Sequence, residues 1–271
     1  MTTIIDTETT SHGRSPLRFV GSISPAVWTL ILVIIGWEFA VWFTEAPIYI
    51  IPPPSRIAAE FVSYWPRLLH HAKYTVSSIM VGFGTAILIG VPLAILITYS
   101  RLAERAIYPI IVTSQTIPKV ALAPLLVAWF GYGMTPKIVI VVLISFFPIV
   151  INSVVGLKSS SAEMLYLARS MGSSGWQTFW KFRLPQALPY IFAGLKLATV
   201  LSVIGAVVAE FIGANNGLGY VIVVAGASFD IARQFTAIIC IAAIGMTFFA
   251  IIQLLERLAV PWKQHSVTVT E

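Results

Sequence analysis

Glu163-Met-Leu-Tyr-Leu-Ala-Arg-Ser-Met-Gly-Ser-Ser-Gly-Trp-Gln-Thr-Phe-Trp-Lys-Phe-Arg-Leu-Pro185 is amphipathic sequence set between two hydrophobic runs. Just before it, Ser160-x-x-Glu163 has the form of a capping box, in which a hydroxyl caps a helix start and the carboxylate returns the bond. Met164, Leu165, Ala168, Met171 and Gly172 then fall on one face of a helix. Ser173-Ser-Gly175 breaks that helix, a second short stretch presents Trp176, Phe179 and Trp180, and Leu184-Pro185 ends it. The spacing predicts a helix-turn-helix carrying an apolar ridge. Such a ridge docks either on a bilayer surface or in a partner's groove.

The runs on either side are long enough to cross a membrane. Working outward, spans are expected at about 26–43, 74–99, 106–130, 137–155, 188–212 and 235–258. The second carries Gly82, Ala86, Gly90 and Ala94 at four-residue intervals, and the fifth carries Gly194, Ala198, Ser202 and Ala206. Small residues at that spacing let helix backbones approach closely in lipid. Pro109, Pro118, Lys119 and Pro124 interrupt the third segment. Broken backbone at membrane depth is tolerated only inside protein or against a water-filled cavity. Ser55 to Lys73 is amphipathic and suits a helix at the membrane surface. Asn215-Asn-Gly-Leu-Gly219 is a gating or docking turn, or a plain hairpin, between the last two spans.

Composition agrees with an all-α integral membrane protein of about six transmembrane helices. The 271 residues are 58% hydrophobic and only 10% charged, with a mean hydropathy of +0.89. Soluble domains carry about 25% charged residues, so the solvent around this chain is largely lipid. The net charge of +6 is scattered between apolar runs, which argues against nucleic acid as a partner. Cys240 is the single cysteine, so neither a disulfide framework nor a Cys-rich metal site is expected. His70 and His71 stand without companion ligands in a polar stretch.

Sidedness follows from Lys and Arg. With the N-terminus inside, ten lie on the inner side (Arg14, Arg18, Arg101, Arg105, Lys158, Arg169, Lys181, Arg183, Arg257, Lys263) and five on the outer. The outer set is Arg56, Arg67, Lys73, Lys137 and Arg233. That bias puts both termini and the 156–185 loop in the cytosol. Residues 1–25 are then a cytosolic tail rather than a signal peptide. Residues 26–258 form the membrane domain and 259–271 a second cytosolic tail.

The loop resembles the EAA loop of ATP-binding-cassette (ABC) importer permeases, whose pattern is Glu-Ala-Ala, three residues, Gly, nine residues, Ile, one residue, Leu-Pro. Ala168, Gly172, Leu184 and Pro185 match it, and Phe182 stands at the Ile position. Tyr166-Leu167-Ala168 replaces the triplet, so the nearest acid is Glu163. Ile117-Pro-Lys-Val-Ala-Leu-Ala-Pro124, Trp129-Phe-Gly-Tyr-Gly133, Leu184-Pro-Gln-Ala-Leu-Pro189 and Gly217-Leu-Gly219 are similar to the nitrate, sulfonate and taurine branch. The resemblance implies a type I importer permease fold in the bacterial cytoplasmic membrane, with a coupling helix between spans four and five. It implies a second permease chain, identical or not, cytosolic ATPase subunits, and an extracytoplasmic solute-binding protein. Glu163, Leu165, Ala168, Gly172, Phe182, Leu184 and Pro185 would form the ATPase-coupling surface. ATP and Mg would bind the ATPase, since this chain has no Gly-x-x-x-x-Gly-Lys-Ser/Thr loop. The cargo would be a small anion such as nitrate, sulfonate, taurine or bicarbonate, or a pyrimidine- or riboflavin-like vitamin precursor.

Ionisable groups at membrane depth mark function or pairing. Lys119 and Glu210 are candidates for the substrate path, either facing it separately or paired with each other. Glu38 reads as a packed, hydrogen-bonded group or one facing a dimer partner. Trp28, Trp37, Trp42 and Trp262 read as interface anchors. The competing function is a stand-alone secondary transporter or channel. It would need paired repeats with broken helices, and the Pro118 segment has no counterpart in the second half. No His-Glu-x-x-His or Ser/His/Asp cluster suggests an intramembrane enzyme, and no metal site is expected.

Overall fold

In the computed structural model residues 25–262 are described, so most of both predicted tails, with Arg14, Arg18 and Lys263, lies outside them. Among the described residues the chain is helical, with no strand. In order the helices are α1 (Pro25–Thr44), α2 (Pro54–Ser63), α3 (Trp65–Tyr99), α4 (Arg101–Ser114), α5 (Ala123–Phe130), α6 (Met134–Lys158), α7 (Ala162–Ser170), α8 (Gly175–Thr178), α9 (Leu184–Gly213), α10 (Leu218–Ala227) and α11 (Ile231–Ala259). A 3₁₀ turn at Lys119–Leu122 joins α4 to α5, and a π-helical turn at Phe179–Arg183 joins α8 to α9.

Five helices are long and apolar enough to span a membrane, and α4 and α5, bent by 84°, form either a broken sixth span or a re-entrant pair. The expected break in the third segment is thus a sharp corner at Pro118-Lys119. Three expectations change. Helix α3 has 35 residues and is about 52 Å long. It therefore outreaches a hydrocarbon core of about 30 Å, and Arg67 to Lys73 form its polar first turns rather than a separate surface helix. The loop after α9 contains α10, missed because ten residues flanked by glycine read as a turn. Leu184-Pro185 does not end the second loop helix. The π turn carries the chain on into α9, and Pro185 is accepted in the first turn, where it needs no N–H partner.

Helix α6 is the centre of the packing, between α3 and α9. Both small-residue stripes are buried against their neighbours. Added Cβ atoms would meet Val141 at Gly82, Ile149 at Gly90, and the Pro148 carbonyl at Gly194. Close approach, rather than any ligand, accounts for these residues.

Contacts sort the loops into two ends. At one end Lys158 at the close of α6 pairs with Glu104 at the start of α4, and Arg183 lies over the Tyr99 ring at the end of α3. At the other, Arg233 at the start of α11 pairs with Glu60 of α2, and Lys137 at the start of α6 bonds Asn216 beyond α9. This grouping matches the two sides required by the Lys/Arg count.

Candidate coupling loop and helix-end charge clusters

The loop folds as two short helices, and its local chemistry explains each boundary. Ser161, one residue later than expected, caps α7 by accepting from the Met164 N–H at 3.3 Å. The Ser160/Glu163 capping box is therefore replaced by a single cap, because the residue three after Ser161 is Met164, which cannot return the bond. Glu163 sits in the first turn, where its charge suits the helix dipole. Met171 and Gly172 close α7. Gly172 has φ +75, its N–H donates to Arg169 O at 2.9 Å, and the Ser173 N–H donates to Ala168 O at 3.0 Å. That double bond is a Schellman motif, which calls for glycine at its left-handed position. A Cβ at Gly172 would meet nothing within 4 Å, so backbone conformation and not space selects glycine there. Ser174 and Gln177 then form a full capping box on α8.

The apolar surface of the loop differs from the predicted ridge. Ala168 is fully buried, and Met164 and Leu165 are half-buried against the chain. The uncovered face is Tyr166 (69% exposed), Leu167 and Met171 (73%), followed by Trp176 (70%). Tyr166 and Leu167 are the residues that depart from the family triplet. Phe182, Leu184 and Pro185 are half-buried at the junction with α9.

Of the two readings of the intramembrane charges, the direct pair is not formed. Lys119 and Glu210 are not paired with each other. Lys119 Nζ donates to the carbonyls of Ser114 and Gln115, at 3.5 and 3.4 Å, and lies 4.3 Å from the centroid of the Phe147 ring. It is a cation at the C-terminal end of α4, supplying donors to carbonyls that the broken helix leaves unpaired.

Glu210 is 1% exposed and therefore does not line a path in this conformation. It accepts from Thr75 Oγ1 at 2.9 and 3.1 Å and from the Gly219 N–H at 2.8 Å. Thr75 Oγ1 in turn accepts from the Leu218 N–H at 2.9 Å, and His71 Nδ1 accepts from the Gly217 N–H at 3.2 Å. Three successive N–H groups at the start of α10 thus find acceptors on α3 and α9. Lys137 Nζ stands 4.0 Å from the carboxylate and donates to Asn216 O at 2.7 Å. The glycines follow from the carboxylate: a Cβ at Gly217 or Gly219 would collide with Glu210. Glu38 works in the same way on α2, accepting from Ser55 N–H at 3.0 Å and Ser55 Oγ at 2.7 Å. Sequence reasoning also passed over Lys196 and Glu256, which pair at 2.7 Å between α9 and α11. Their signal was present as two opposite charges within long apolar runs.

Long apolar helices joined by a polar loop of two short capped helices define a membrane-embedded helical protein. Residues 86–261 match the family described as binding-protein-dependent transport system inner membrane component, and the chain belongs to that family. The formylaminopyrimidine transport permease protein ThiX of Halalkalibacterium halodurans is 36% identical, over 91% of this chain and 98% of its own length. The riboflavin transport system permease protein RibX of Chloroflexus aurantiacus is 35% identical, over 92% and 94%. The taurine transport system permease protein TauC of Escherichia coli is 30% identical, over 86% of each. Among solved structures, the MetNI methionine ABC transporter in an inward-facing form gives a TM-score of 0.63 at 18% identity, covering 73% of this chain and 98% of that one. The fold is thus that of a type I ABC importer permease, and the chain is the permease subunit of such an importer, a multi-pass component of the inner membrane. The stand-alone transporter is set aside on the same grounds.

Proposed function

We propose that this permease opens and closes its path through the Tyr166-Leu167-Met171 face of the 156–185 loop, seated on a cytosolic ATPase subunit. The observation that carries this reading is the uncovered apolar face on the capped helix α7 at one end of the bundle. Exposed apolar surface on a rigid element is the mark of a docking site. ATP and Mg belong to the ATPase, and hydrolysis takes place there. Both termini lie in the cytosol, in keeping with the Lys/Arg bias. A second permease chain of the same sequence completes the path; Leu125, Trp129 and Phe130 leave one face of α5 uncovered for it. A solute-binding protein delivers the cargo on the outer side. The cargo is a small heterocyclic vitamin precursor, since the relatives named for formylaminopyrimidine and riboflavin are 36% and 35% identical, against 30% for the taurine permease. Affinity purification of the tagged chain from native membranes tests the assembly. A stoichiometric ATPase is the expected result, and a chain that purifies alone with transport activity would overturn it. Ligand retention by the co-purified binding protein tests the cargo, and a bound inorganic anion would refute the vitamin-precursor assignment.

A further inference from the structure

A groove of about 590 Å³ opens beside the coupling loop, lined by Val91, Ile95 and Tyr99 of α3 and by Trp176, Phe179 and Trp180. Its depth follows from helix geometry. Val91, Ile95 and Tyr99 are four residues apart on one face, so Val91 lies about 12 Å below the end of α3. Half of a hydrocarbon core is about 15 Å thick, which puts the groove floor among acyl chains, beyond the reach of a soluble ATPase. At its mouth the aromatic pair Trp176 and Trp180, 5.5 Å between ring centroids, stands at the level where membrane proteins place such rings. The π-helical turn that gives Phe179 and Trp180 to the groove wall also carries Lys181 and Arg183. Arg183 lies 5.1 Å from the Tyr99 ring centroid and Lys181 is exposed, and neither makes an ion pair among the described residues.

We propose that this groove is a binding site for an anionic phospholipid, with one acyl chain between α3 and the α8–α9 junction and the phosphodiester on Lys181 and Arg183. An apolar slot alone takes any lipid, whereas two unpaired cations at its mouth select negative charge. Each cation near a membrane surface is worth roughly 1 kcal/mol, a factor of about five, so an enrichment of roughly 5- to 30-fold over a zwitterionic lipid is expected. The lipid would brace the junction through which the loop meets α9. The inference rests on α3 and α9 being membrane spans and not on the ATPase assignment, so failure of either leaves the other standing.

The test uses the purified full chain in phosphatidylcholine proteoliposomes doped with phosphatidylglycerol, with bromine-labelled acyl chains on one lipid or the other. Brominated phosphatidylglycerol should quench tryptophan fluorescence more strongly than brominated phosphatidylcholine at equal mole fraction. That excess should vanish in Trp176→Phe/Trp180→Phe and in Lys181→Gln/Arg183→Gln. Ile95→Phe, which fills the groove without adding a tryptophan and leaves both cations in place, should remove it as well. Equal quenching by the two lipids would mean an unselective slot and overturn the proposal. Failure of either lipid to quench Trp176 and Trp180 would mean that protein covers the groove, and would overturn it too.

Discussion

The cluster around Glu210 and the 156–185 loop, at opposite ends of the bundle, handle polar and apolar groups in opposite ways. At Glu210 every strong polar group is turned inward and answered from within the chain: carboxylate to Thr75 and Gly219, Lys137 to Asn216, His71 to Gly217. On the loop the apolar residues Tyr166, Leu167 and Met171 are turned outward and stay largely uncovered by the described residues. One end is closed on itself and the other is left open. On the reading proposed above, in which the drive comes from one side, that asymmetry supplies a fixed frame at one end and a free contact at the other.

Breaking the closed end should have the largest effect. Glu210→Ala strands a buried ammonium and frees helix N–H groups, at a loss on the order of 3–5 kcal/mol. Thermal unfolding of the purified chain should show it, and Glu210→Gln, which keeps an acceptor for Gly219, should lose less. An equal loss in both would mean that charge alone matters there. Next comes the packing that holds the two ends in register. Gly194→Leu would press on the Pro148 carbonyl, a backbone atom that cannot swing away, and should destabilise by about 1–3 kcal/mol. Gly36→Leu on α1, with open space around it, should leave the unfolding temperature unchanged.

A smaller effect sharpens the account of the loop. Gly172→Ala forces a side chain into left-handed backbone, at about 1–2 kcal/mol, confined to the end of α7. Hydrogen exchange at Ser173 should rise while the bundle stays protected. Gly175→Ala, in the first turn of α8 with no neighbour and no positive φ, should be neutral or slightly stabilising. The smallest effect is expected at Lys158→Gln, because its pair with Glu104 is solvent-exposed. A large loss of stability in that variant would show that the loop end of the bundle is closed by charge after all.

The spans and the small-residue stripes were legible because both are local patterns, an apolar run of fixed length and a four-residue repeat. The charges at depth were legible as exceptions but not as partners. Glu210 is bonded to Thr75 and paired with Lys137, both far from it in sequence, and nothing local joins them. Their shared logic emerges only in three dimensions: Glu38, Glu210 and Lys119 each satisfy a helix end that a break or turn leaves bare. Helix α10 was hidden for the same reason, since its start is capped by other helices rather than by its own Ser, Thr, Asp or Asn. In the loop, Gly172 was read as part of a contact surface, and its left-handed backbone, which the sequence did not reveal, closes the helix that bears Tyr166 and Leu167.

The central claim is that this open face is where force enters. Leu167→Asp/Met171→Asp should be co-expressed with the ATPase and the complex purified through a tag on the permease. The account predicts an unchanged unfolding temperature for the permease, loss of the ATPase from the purified complex, and loss of transport. Full recovery of ATPase and transport with two carboxylates on that face would contradict it.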